Sequence, residues 1–309
     1  MSLIPFEGTR VSSESVIYEF SKDTQPVLHL ESGQELVFET CDCFNKQLDL
    51  KPSIQNLDWN HVNPATGPVY VEGAQAGDVL KVEILRIELA DHAWMVAGEG
   101  VGSYGSHLSD GLHVRRLEIE DGELIWDDKV SFELDPMIGV IGVAPADRAI
   151  NCGTPAEHGG NMDNTMVREG ATLYFPIFVD GALFAAGDMH ALMGDGEVGV
   201  TGAEISGEIL LRLSVIKNKR LESPVLVDQD DFSVIASAKT FDEAADEAVR
   251  IMVELLKDKI DMPTEEIVML LSLCANLEIC QVVDPQKTAR LVISRDVLEA
   301  YNYDFDPSV

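Results

Sequence analysis

Apolar and polar residues alternate along much of the first 150 residues, which is the pattern of strands that bury one face. The clearest run is Val79–Leu89, where apolar side chains occupy nearly every second position. Asp121-Gly122 separates two shorter alternating runs and predicts a hairpin turn between them. Few helical patterns interrupt this half of the chain. The pattern therefore predicts a mainly β fold, either a β-sandwich or a barrel-like sheet.

Two further strand arrangements are predicted in the glycine-rich middle of the chain. Residues 173–179 and 182–185 are apolar runs on either side of Asp180-Gly181, which predicts a second hairpin. Residues 203–216 read as one long strand, and Gly207 predicts a bend within it.

The pattern changes after Ser223-Pro224, where helical periodicity replaces alternation. Thr240 and Glu243 form a capping box, which predicts a helix that begins there and runs to about residue 259. A second helix is predicted after Pro263, and a closing strand follows it.

We therefore expect a β-sandwich core with added α+β elements and a helical C-terminal region. Residues 1–220 form the predicted β-rich catalytic region. Residues 221–309 form an α+β C-terminal region packed on it.

The net charge of the chain limits the kinds of molecule that it can bind. Asp and Glu number 54 against 22 Lys and Arg, so the formal net charge is −32. Such a chain repels nucleic acid and anionic membranes, and it favours neutral or cationic small substrates. The chain contains no apolar run of the length that a membrane span needs and no signal-peptide pattern. The chain has an odd number of cysteines, five, and no C-x-x-C pair. This cysteine pattern favours a reduced, cytoplasmic compartment.

The most informative motif is Asp188-Met189-His190, followed after Gly194 by Asp195-Gly196-Glu197. Residues two apart on an extended segment point to the same face, so the Asp188 and His190 side chains can converge. A carboxylate with an imidazole suits zinc and similar divalent ions. Asp42 at a predicted strand end offers a third ligand. The cysteines that flank it are interpreted as packing residues, with soft metal ligation as the alternative.

Several loops carry acidic residues or histidine beside glycine or proline, a setting in which sites are often built. Together with the motif above they resemble the acetamidase/formamidase family along nearly the whole chain. The matching segments are residues 39–45, 61–73, 76–78, 155–163, 187–191, 194–198 and Glu204. The resemblance implies a cytoplasmic, oligomeric hydrolase that cleaves short aliphatic amides to a carboxylic acid and ammonia. It also implies a divalent metal, zinc first, with calcium as the alternative. Residues 98–105 are more polar than the family's usual loop.

Roles follow from this chemistry. An amide needs an activated nucleophile and a proton for the departing nitrogen. The expected metal ligands are Asp42, Asp188 and His190, and the expected acid/base is Glu204. His61 and His158 are expected to support the catalytic group or contact substrate. Asn161, Asp163 and Glu197 are expected to bind substrate.

Three alternatives stay open at this point. Cys152 lies in a glycine-containing loop near His158 and could act as a covalent nucleophile. The carboxylates could hold a structural ion in a non-catalytic binding module. The substrate could also be another C–N bond. A dinucleotide site at residues 100–105, which match G-x-G-x-x-G, is rejected because no helical pattern follows them.

Overall fold

The computed structural model describes residues 3–51, 53–257, 259–303 and 305. The strands are β1 (Thr9–Val11), β2 (Val16–Ile17), β3 (Glu19–Phe20), β4 (Leu28–Leu30), β5 (Gln34–Thr40), β6 (Ala65–Val71), β7 (Val79–Leu89), β8 (His92–Gly98), β9 (Leu112–Glu120), β10 (Glu123–Ile125), β11 (Ser131–Glu133), β12 (Met137–Gly142), β13 (Ile150–Asn151), β14 (Gly159–Asn161), β15 (Thr172–Pro176), β16 (Phe184–His190), β17 (Glu204–Ile205), β18 (Gly207–Ile216), β19 (Val225–Val227), β20 (Asp231–Ala238), β21 (Ala275–Gln281) and β22 (Lys287–Ser294). The helices are α1 (Gln47–Leu50), α2 (Phe241–Lys257), α3 (Thr264–Cys274) and α4 (Arg295–Glu299), with 3-10 turns at Ile54–Asn56, Trp59–His61 and Gly105–His107.

Two large sheets make up most of the described chain. The first has nine strands in the order β1-β5-β18-β7-β15-β19-β20-β22-β21. The second has eleven strands, with β11-β10-β9-β8-β17-β16-β12-β14 as its main path and β6, β2 and β4 joined through β16. Most neighbours are antiparallel, and β13 pairs with β3 in a small separate sheet.

The main core lies between the two sheets. Phe38 on β5 and Ile209 on β18 belong to one sheet, and Phe184 and Ala186 on β16 belong to the other. The rings of Phe38 and Phe184 meet edge to face, with their centroids 5.6 Å apart. Burial of facing apolar rows in this way is what holds two sheets together. The predicted mainly β sandwich is confirmed.

The chain passes between the two sheets at two places where the sequence pattern predicted continuity. The predicted strand over residues 203–216 is divided at Ser206, because β17 pairs in the eleven-stranded sheet and β18 in the nine-stranded one. The hairpin predicted at Asp180-Gly181 is also wrong, because β15 and β16 belong to different sheets. Alternation reports which residues are buried but not which sheet a strand joins. The hairpin at Asp121-Gly122 is confirmed by the pairing of β9 with β10.

The C-terminal helices cover one face of the nine-stranded sheet. The capping box is present, because the Thr240 N–H donates to Glu243 Oε2 and the Glu243 N–H donates to Thr240 Oγ1. α2 packs Ile251 and Met252 onto Phe232 of β20. The regions predicted to meet near residue 220 share this sheet, since β15 pairs with β19. No helix in the described part of the chain is long and apolar enough to span a membrane.

Candidate active site

Asp188 and His190 lie near the end of β16, in the interior of the eleven-stranded sheet. Glu204 on β17 stands opposite His190 in the strand register. His190 Nε2 lies 3.1 Å from Glu204 Oε1 and 3.8 Å from Asp188 Oδ1. All three side chains are almost completely buried. The pairing of two adjacent strands therefore brings an imidazole and two carboxylates into one polar cluster.

Further ligand-type side chains surround this trio. Atoms of Asp163, His190 and Glu197 that could bind a cation lie within 4.8 Å of one another. The same is true of Cys43, Asp188 and Glu204. Because His190 also approaches Asp188 and Glu204, the two sets adjoin. We call these six residues the acidic cluster.

Two glycines provide the space that the acidic cluster occupies. A Cβ on Gly139 of β12 would lie 2.5 Å from Asp163 Oδ1 and 2.6 Å from Asp188 Oδ2. A Cβ on Gly202 would lie 2.8 Å from both Cγ and Nδ1 of His190. Any side chain at either position would displace the polar groups.

The backbone of the site adopts conformations that ordinary residues avoid. Positive φ angles occur at Asn63 (55°), Asp163 (44°), Asp188 (52°) and Glu197 (46°). Each such residue costs roughly 1–3 kcal/mol and persists only where the surrounding structure enforces it. Such strain is typical of functional sites. Here it turns successive strand and loop residues toward one point.

Burial and mutual repulsion shift the proton equilibria of the cluster. Burial, with a further contribution from Asp188, raises the pKa of Glu204 to about 7. Burial also raises the pKa values of Asp163 and Glu197 well above their ordinary range, and neighbouring carboxylates add to both shifts. Burial alone would lower the pKa of His190, but Glu204 and Asp188 outweigh it and raise that pKa well above its ordinary value.

Several buried atoms of the cluster have no hydrogen-bond partner among the described residues. These are both carboxylate oxygens of Asp163, Nδ1 of His190 and Oε2 of Glu204. Leaving a buried polar group unpaired costs about 1–3 kcal/mol, and more for a charged one. Carboxylate, imidazole and thiol groups are the zinc-binding groups of proteins. The donor set and its unpaired atoms therefore fit a divalent cation.

A cavity of about 170 Å³ opens onto the cluster. Its polar floor includes Asn161, Asp188, Glu197 and Glu204. The apolar part of its lining is formed by Phe44, Trp59, Val62, Val96, Val101, Leu112 and Val200. Small ligands with one polar end and one short apolar end match this division.

Comparison with known proteins identifies the chain. The model of the acetamidase/formamidase family matches residues 10–153 and 146–300, which is nearly the whole sequence. The chain belongs to the acetamidase/formamidase family.

Individual relatives agree with this membership. The chain is 24% identical over 255 residues to a formamidase of Methylophilus methylotrophus, and 27% identical over 254 residues to an acetamidase of Mycolicibacterium smegmatis. These matches span 63% of the length of either relative and 61–63% of this chain.

Solved structures are more similar. A predicted acetamidase/formamidase of Thermoanaerobacter tengcongensis superposes with a TM-score of 0.93 at 48% identity, covering 96% of this chain and 99% of that one. An acetamidase of Bacillus halodurans superposes with a TM-score of 0.92 at 40% identity, covering 95% and 100%.

In this family member Asp42 does not join the acidic cluster. Its Oδ1 accepts hydrogen bonds from the backbone N–H groups of Phe44 (2.8 Å) and Lys46 (3.2 Å) and so caps the turn after β5. The expectation that Asp42 faces the same point as Asp188 is corrected. Its neighbour Cys43, the first residue of that turn, faces the cluster instead.

Two histidines were expected near the reacting group, but in the structure both lie away from the cavity. His61 is more than half exposed, with its Nδ1 2.6 Å from Asp58 Oδ2, and it does not line the cavity. His158 is fully buried, and its ring meets Phe20 edge to face with centroids 5.0 Å apart. Burial lowers the pKa of His158 to about 3. Neither side chain is positioned to touch a ligand in the cavity.

Two residues of the site were missed in the sequence. Asp284, from the hairpin between β21 and β22, lines the cavity, and its Oδ2 accepts a 2.8 Å hydrogen bond from Asn161 Nδ2. Asn63 also lines the cavity, and with its amide nitrogen turned toward Asp188 it donates to both carboxylate oxygens at 3.3 Å. Asp163 was expected to bind substrate. It does not line the cavity and belongs instead to the acidic cluster.

Cys152 and the polar loop are the remaining sequence candidates. Cys152 is 1% exposed, packs with Phe20 and Val140, and donates through Sγ to the Ile17 carbonyl at 3.5 Å. Burial raises the pKa of this thiol. It does not line the cavity. The loop of residues 98–105 does reach the cavity, through Val101.

Proposed function

We propose that this protein hydrolyses short linear aliphatic amides to a carboxylic acid and ammonia. The observation that carries the proposal is a buried cluster of carboxylates and one imidazole, three of whose carboxylates line a cavity of about 170 Å³ together with apolar side chains. The names of the relatives, formamidase and acetamidase, support the same chemistry.

A divalent cation, zinc before calcium, fits the acidic cluster. Asp188 and His190 would hold it, with Cys43 in the position that the sequence assigned to Asp42. When bound, such an ion polarises a carbonyl and lowers the pKa of its water toward ~7. Cys43 is a better ligand than nucleophile without the ion, because burial and the charges of Glu204 and Asp188 raise its pKa well above the ordinary value.

Glu204 is the proposed acid/base. It borders both the cavity and His190, and a carboxyl with a pKa of about 7 can accept a proton from water and return it to nitrogen at neutral pH. Without the cation, His190 Nε2 can pair with Glu204 Oε1 at 3.1 Å; a bound cation would take that nitrogen and leave the carboxyl free to exchange its proton.

Polar and apolar residues of the cavity lining can orient the substrate. Asn161 Oδ1 has no partner among the described residues and borders the cavity, so it can accept from a substrate N–H group. The acyl group then faces Val101, Leu112 and Val200. We expect both formamide and acetamide to be turned over, with kcat/KM values within about 10–200-fold of each other, since one methylene changes binding by about 1–3 kcal/mol in an apolar pocket. Bulky aromatic and anionic amides are expected to react poorly.

Ammonia release from formamide and acetamide, with and without a chelator, tests the proposal. Turnover that stops on chelation and returns with Zn²⁺ supports it. Turnover that persists without metal but is lost in a Cys152→Ala protein supports the covalent alternative. A tightly bound metal without turnover on any amide supports a binding module. Preference for a large or anionic amide contradicts the proposed substrate class.

We also propose a cytoplasmic location and a homo-oligomeric assembly. All five cysteines are free thiols, which supports a reducing compartment. The net charge of −32 supports a small neutral substrate and argues against nucleic acid or an anionic membrane as a partner.

A further inference from the structure

Arg290 is a buried cation that lies outside the acidic cluster and has no role in the function proposed above. It belongs to β22, is 5% exposed, and stands opposite Glu278 of β21 in the strand register. A buried charge is costly unless it is paired and hydrogen-bonded. The partners of Arg290 therefore indicate why a cation is kept at this position.

The side chain of Arg290 lies on the face of the nine-stranded sheet that the helices leave uncovered. Along β22, Leu291 and Ile293 pack with residues of α2 and α3, whereas Val292 belongs to the core between the two sheets. Side chains alternate along a strand, so Arg290 shares the face of Val292. From there a long side chain can reach the loops that surround the acidic cluster.

Four hydrogen bonds hold the guanidinium group of Arg290. Nε donates to Glu278 Oε2 at 2.7 Å. One terminal nitrogen donates to Asn164 Oδ1 (2.7 Å) and Thr165 Oγ1 (2.9 Å), and the other donates to Asp195 Oδ2 (2.7 Å). Glu278 belongs to the same sheet as Arg290, but the other partners belong to two separate loops. The guanidinium group therefore joins these two loops to the C-terminal part of the chain.

Each of the two loops carries one carboxylate of the acidic cluster. Asp163 directly precedes Asn164, and Glu197 follows two residues after Asp195. Asp163 and Glu197 have φ angles of 44° and 46°, which persist only where the surrounding structure enforces them. Thr165 Oγ1 also donates to Asp195 Oδ1 at 2.9 Å, so the loops are bonded to each other as well as to the guanidinium group.

Backbone hydrogen bonds attach the second loop to β21 as well. The Gly196 N–H donates to the Cys280 carbonyl (2.8 Å), and the Val282 N–H donates to the Gly196 carbonyl (3.2 Å). Glu197 is thus held by the backbone of the residue before it and by the side chain of Asp195. Because Glu197 also lines the cavity, its position affects both the cation site and the space for substrate.

Arginine suits this position better than lysine would. Its guanidinium group is planar, stays charged, and presents N–H donors in several fixed directions. Here those directions lead to β21, to the loop after Asp163 and to the loop before Glu197. The ammonium group of a lysine is a single point on a flexible chain and cannot reach all three places at once.

We propose that Arg290 is a positioning residue for the cation site. By holding the two loops, it sets the separation of Asp163 and Glu197 and so the fit of their carboxylates around a divalent cation beside His190. Arg290 does not line the cavity and acts through these carboxylates. The inference rests on the proposed function for the identity of the cation.

Titration of the chelator-treated full chain with Zn²⁺, followed by calorimetry, tests the proposal. Asp195→Ala and Glu278→Ala each remove a carboxylate that lies 2.7 Å from Arg290, and the two side chains are similarly exposed, at 41% and 34%. Asp195→Ala is expected to weaken Zn²⁺ binding by about 10–100-fold, the usual effect of changing a residue that supports a metal ligand. Glu278→Ala is the matched control and is expected to leave the affinity unchanged, because Glu278 does not lead to the cluster.

Melting temperatures of the metal-free proteins separate positioning from general stability. Each Ala variant breaks one ion pair of the same guanidinium group, so both melting temperatures are expected to fall. Zn²⁺ affinity should fall in the Asp195 variant alone. Affinity that follows the melting temperature in both variants would give Arg290 a purely structural role and overturn the proposal. Equal Zn²⁺ affinity in the unaltered protein and both variants would overturn it too.

Arg290→Lys tests the arginine itself. It keeps the charge but loses the reach, so it is expected to weaken Zn²⁺ binding at least as much as Asp195→Ala does. Adding Asp195→Ala to Arg290→Lys should cause little further loss, because both changes break the same connection. Fully additive losses contradict the proposal. If Arg290→Lys does not fold, the comparison of Asp195→Ala with Glu278→Ala decides.

The same titration separates this proposal from the proposed function. An unaltered protein that binds no Zn²⁺ overturns the positioning role. Tight Zn²⁺ binding that depends on Asp195 but not on Glu278, without turnover of any amide, supports the positioning role and contradicts only the amidase function.

Discussion

At the residue scale, the acidic cluster concentrates negative charge that one imidazole cannot balance. Asp163, Asp188, Glu197 and Glu204 all lie within reach of His190. Burying unpaired carboxylates is costly, so they must hold protons or a cation. The strained φ angles of Asp163, Asp188 and Glu197 indicate that the fold maintains this arrangement despite its cost.

Replacing His190 with Ala should remove both metal and activity, because a bound cation displaces the imidazole proton and the nitrogen is then a neutral donor among carboxylates. We expect the metal content to fall from about one ion per chain to below about one tenth of an ion per chain, and turnover to fall with it. Metal analysis of the purified protein and ammonia release measure the two effects. Full metal occupancy in a folded His190→Ala protein would show that His190 is not an essential ligand.

Glu204→Gln keeps the shape of the side chain but removes its basicity. Turnover should fall by about 10²–10⁴, the usual contribution of general acid–base catalysis, with KM changed less than kcat. The matched control is Cys152→Ala, which should retain most of its rate because Cys152 does not line the cavity. Steady-state kinetics on acetamide distinguish the two. A Gln variant as fast as the unaltered protein would exclude Glu204 as the acid/base.

At the scale of elements, the site is assembled where strands from distant parts of the sequence meet. The convergence of Asp188 and His190 could be predicted from period-two alternation within one strand. Glu204 was included among the candidate site residues because of the family resemblance. Its contact with His190 depends on the pairing of β17 with β16. Asp284 lies more than a hundred residues from Asn161, and no local pattern signals their contact. Strand register, which short-range periodicity does not encode, decides these contacts.

A local hydrogen-bonding competition, rather than strand register, explains why Asp42 was wrongly expected in the cluster. Sequence alone placed a carboxylate at a strand end, but the turn after β5 uses that carboxylate as a backbone cap. Asp side chains compete for local N–H groups in this way. Cys43 was interpreted mainly as a packing residue, but in the structure its side chain faces the cluster.

Close packing of β12 against the cluster gives a prediction at this scale. Gly139→Ala should disrupt the site, because the new Cβ would lie 2.5–2.6 Å from carboxylate oxygens of Asp163 and Asp188. We expect at least a hundredfold loss of turnover, about what a misplacement of ~1 Å can cost. Gly194→Ala is the control, since a Cβ there meets nothing within 4 Å. Equal activity of both variants would contradict the close approach.

At the scale of the whole molecule, the two sheets bury the acidic cluster inside a chain that is strongly acidic throughout. The fold class could be predicted because alternation, turn residues and a capping box all pointed to it. The crossings of the chain between the sheets at Ser206 and near Gly181 could not, because they depend on which sheet each strand joins. Those crossings bring β16 and β17 together, so they determine the site as well as the fold.

The burial of these groups makes stability depend on pH. The pKa of Glu204 is raised from its ordinary 4.5 to about 7, so between those values the folded state holds a proton that the unfolded state has released. This stabilisation is present at low pH and is lost as pH rises toward 7. The raised pKa of His190 acts in the same direction. Its contribution to folding stability is fully present below pH about 6.5, the pKa of an unfolded histidine, and is lost as pH rises through the pKa of His190 in the folded state.

Chelator-treated protein should therefore melt at a lower temperature at pH 8 than at pH 5, by roughly 2–4 °C for each kcal/mol lost. Zn²⁺ should restore more stability at pH 8 than at pH 5, because a cation competes with the protons for the same groups. The Glu204→Gln protein is the control: it lacks this ionisation, so its melting temperature should vary less over the same range. Calorimetry at fixed ionic strength measures all three. A melting temperature that rises between pH 5 and pH 8 without metal would mean that the buried carboxylates are not protonated in the folded state, and the charge balance proposed for the cluster would be wrong.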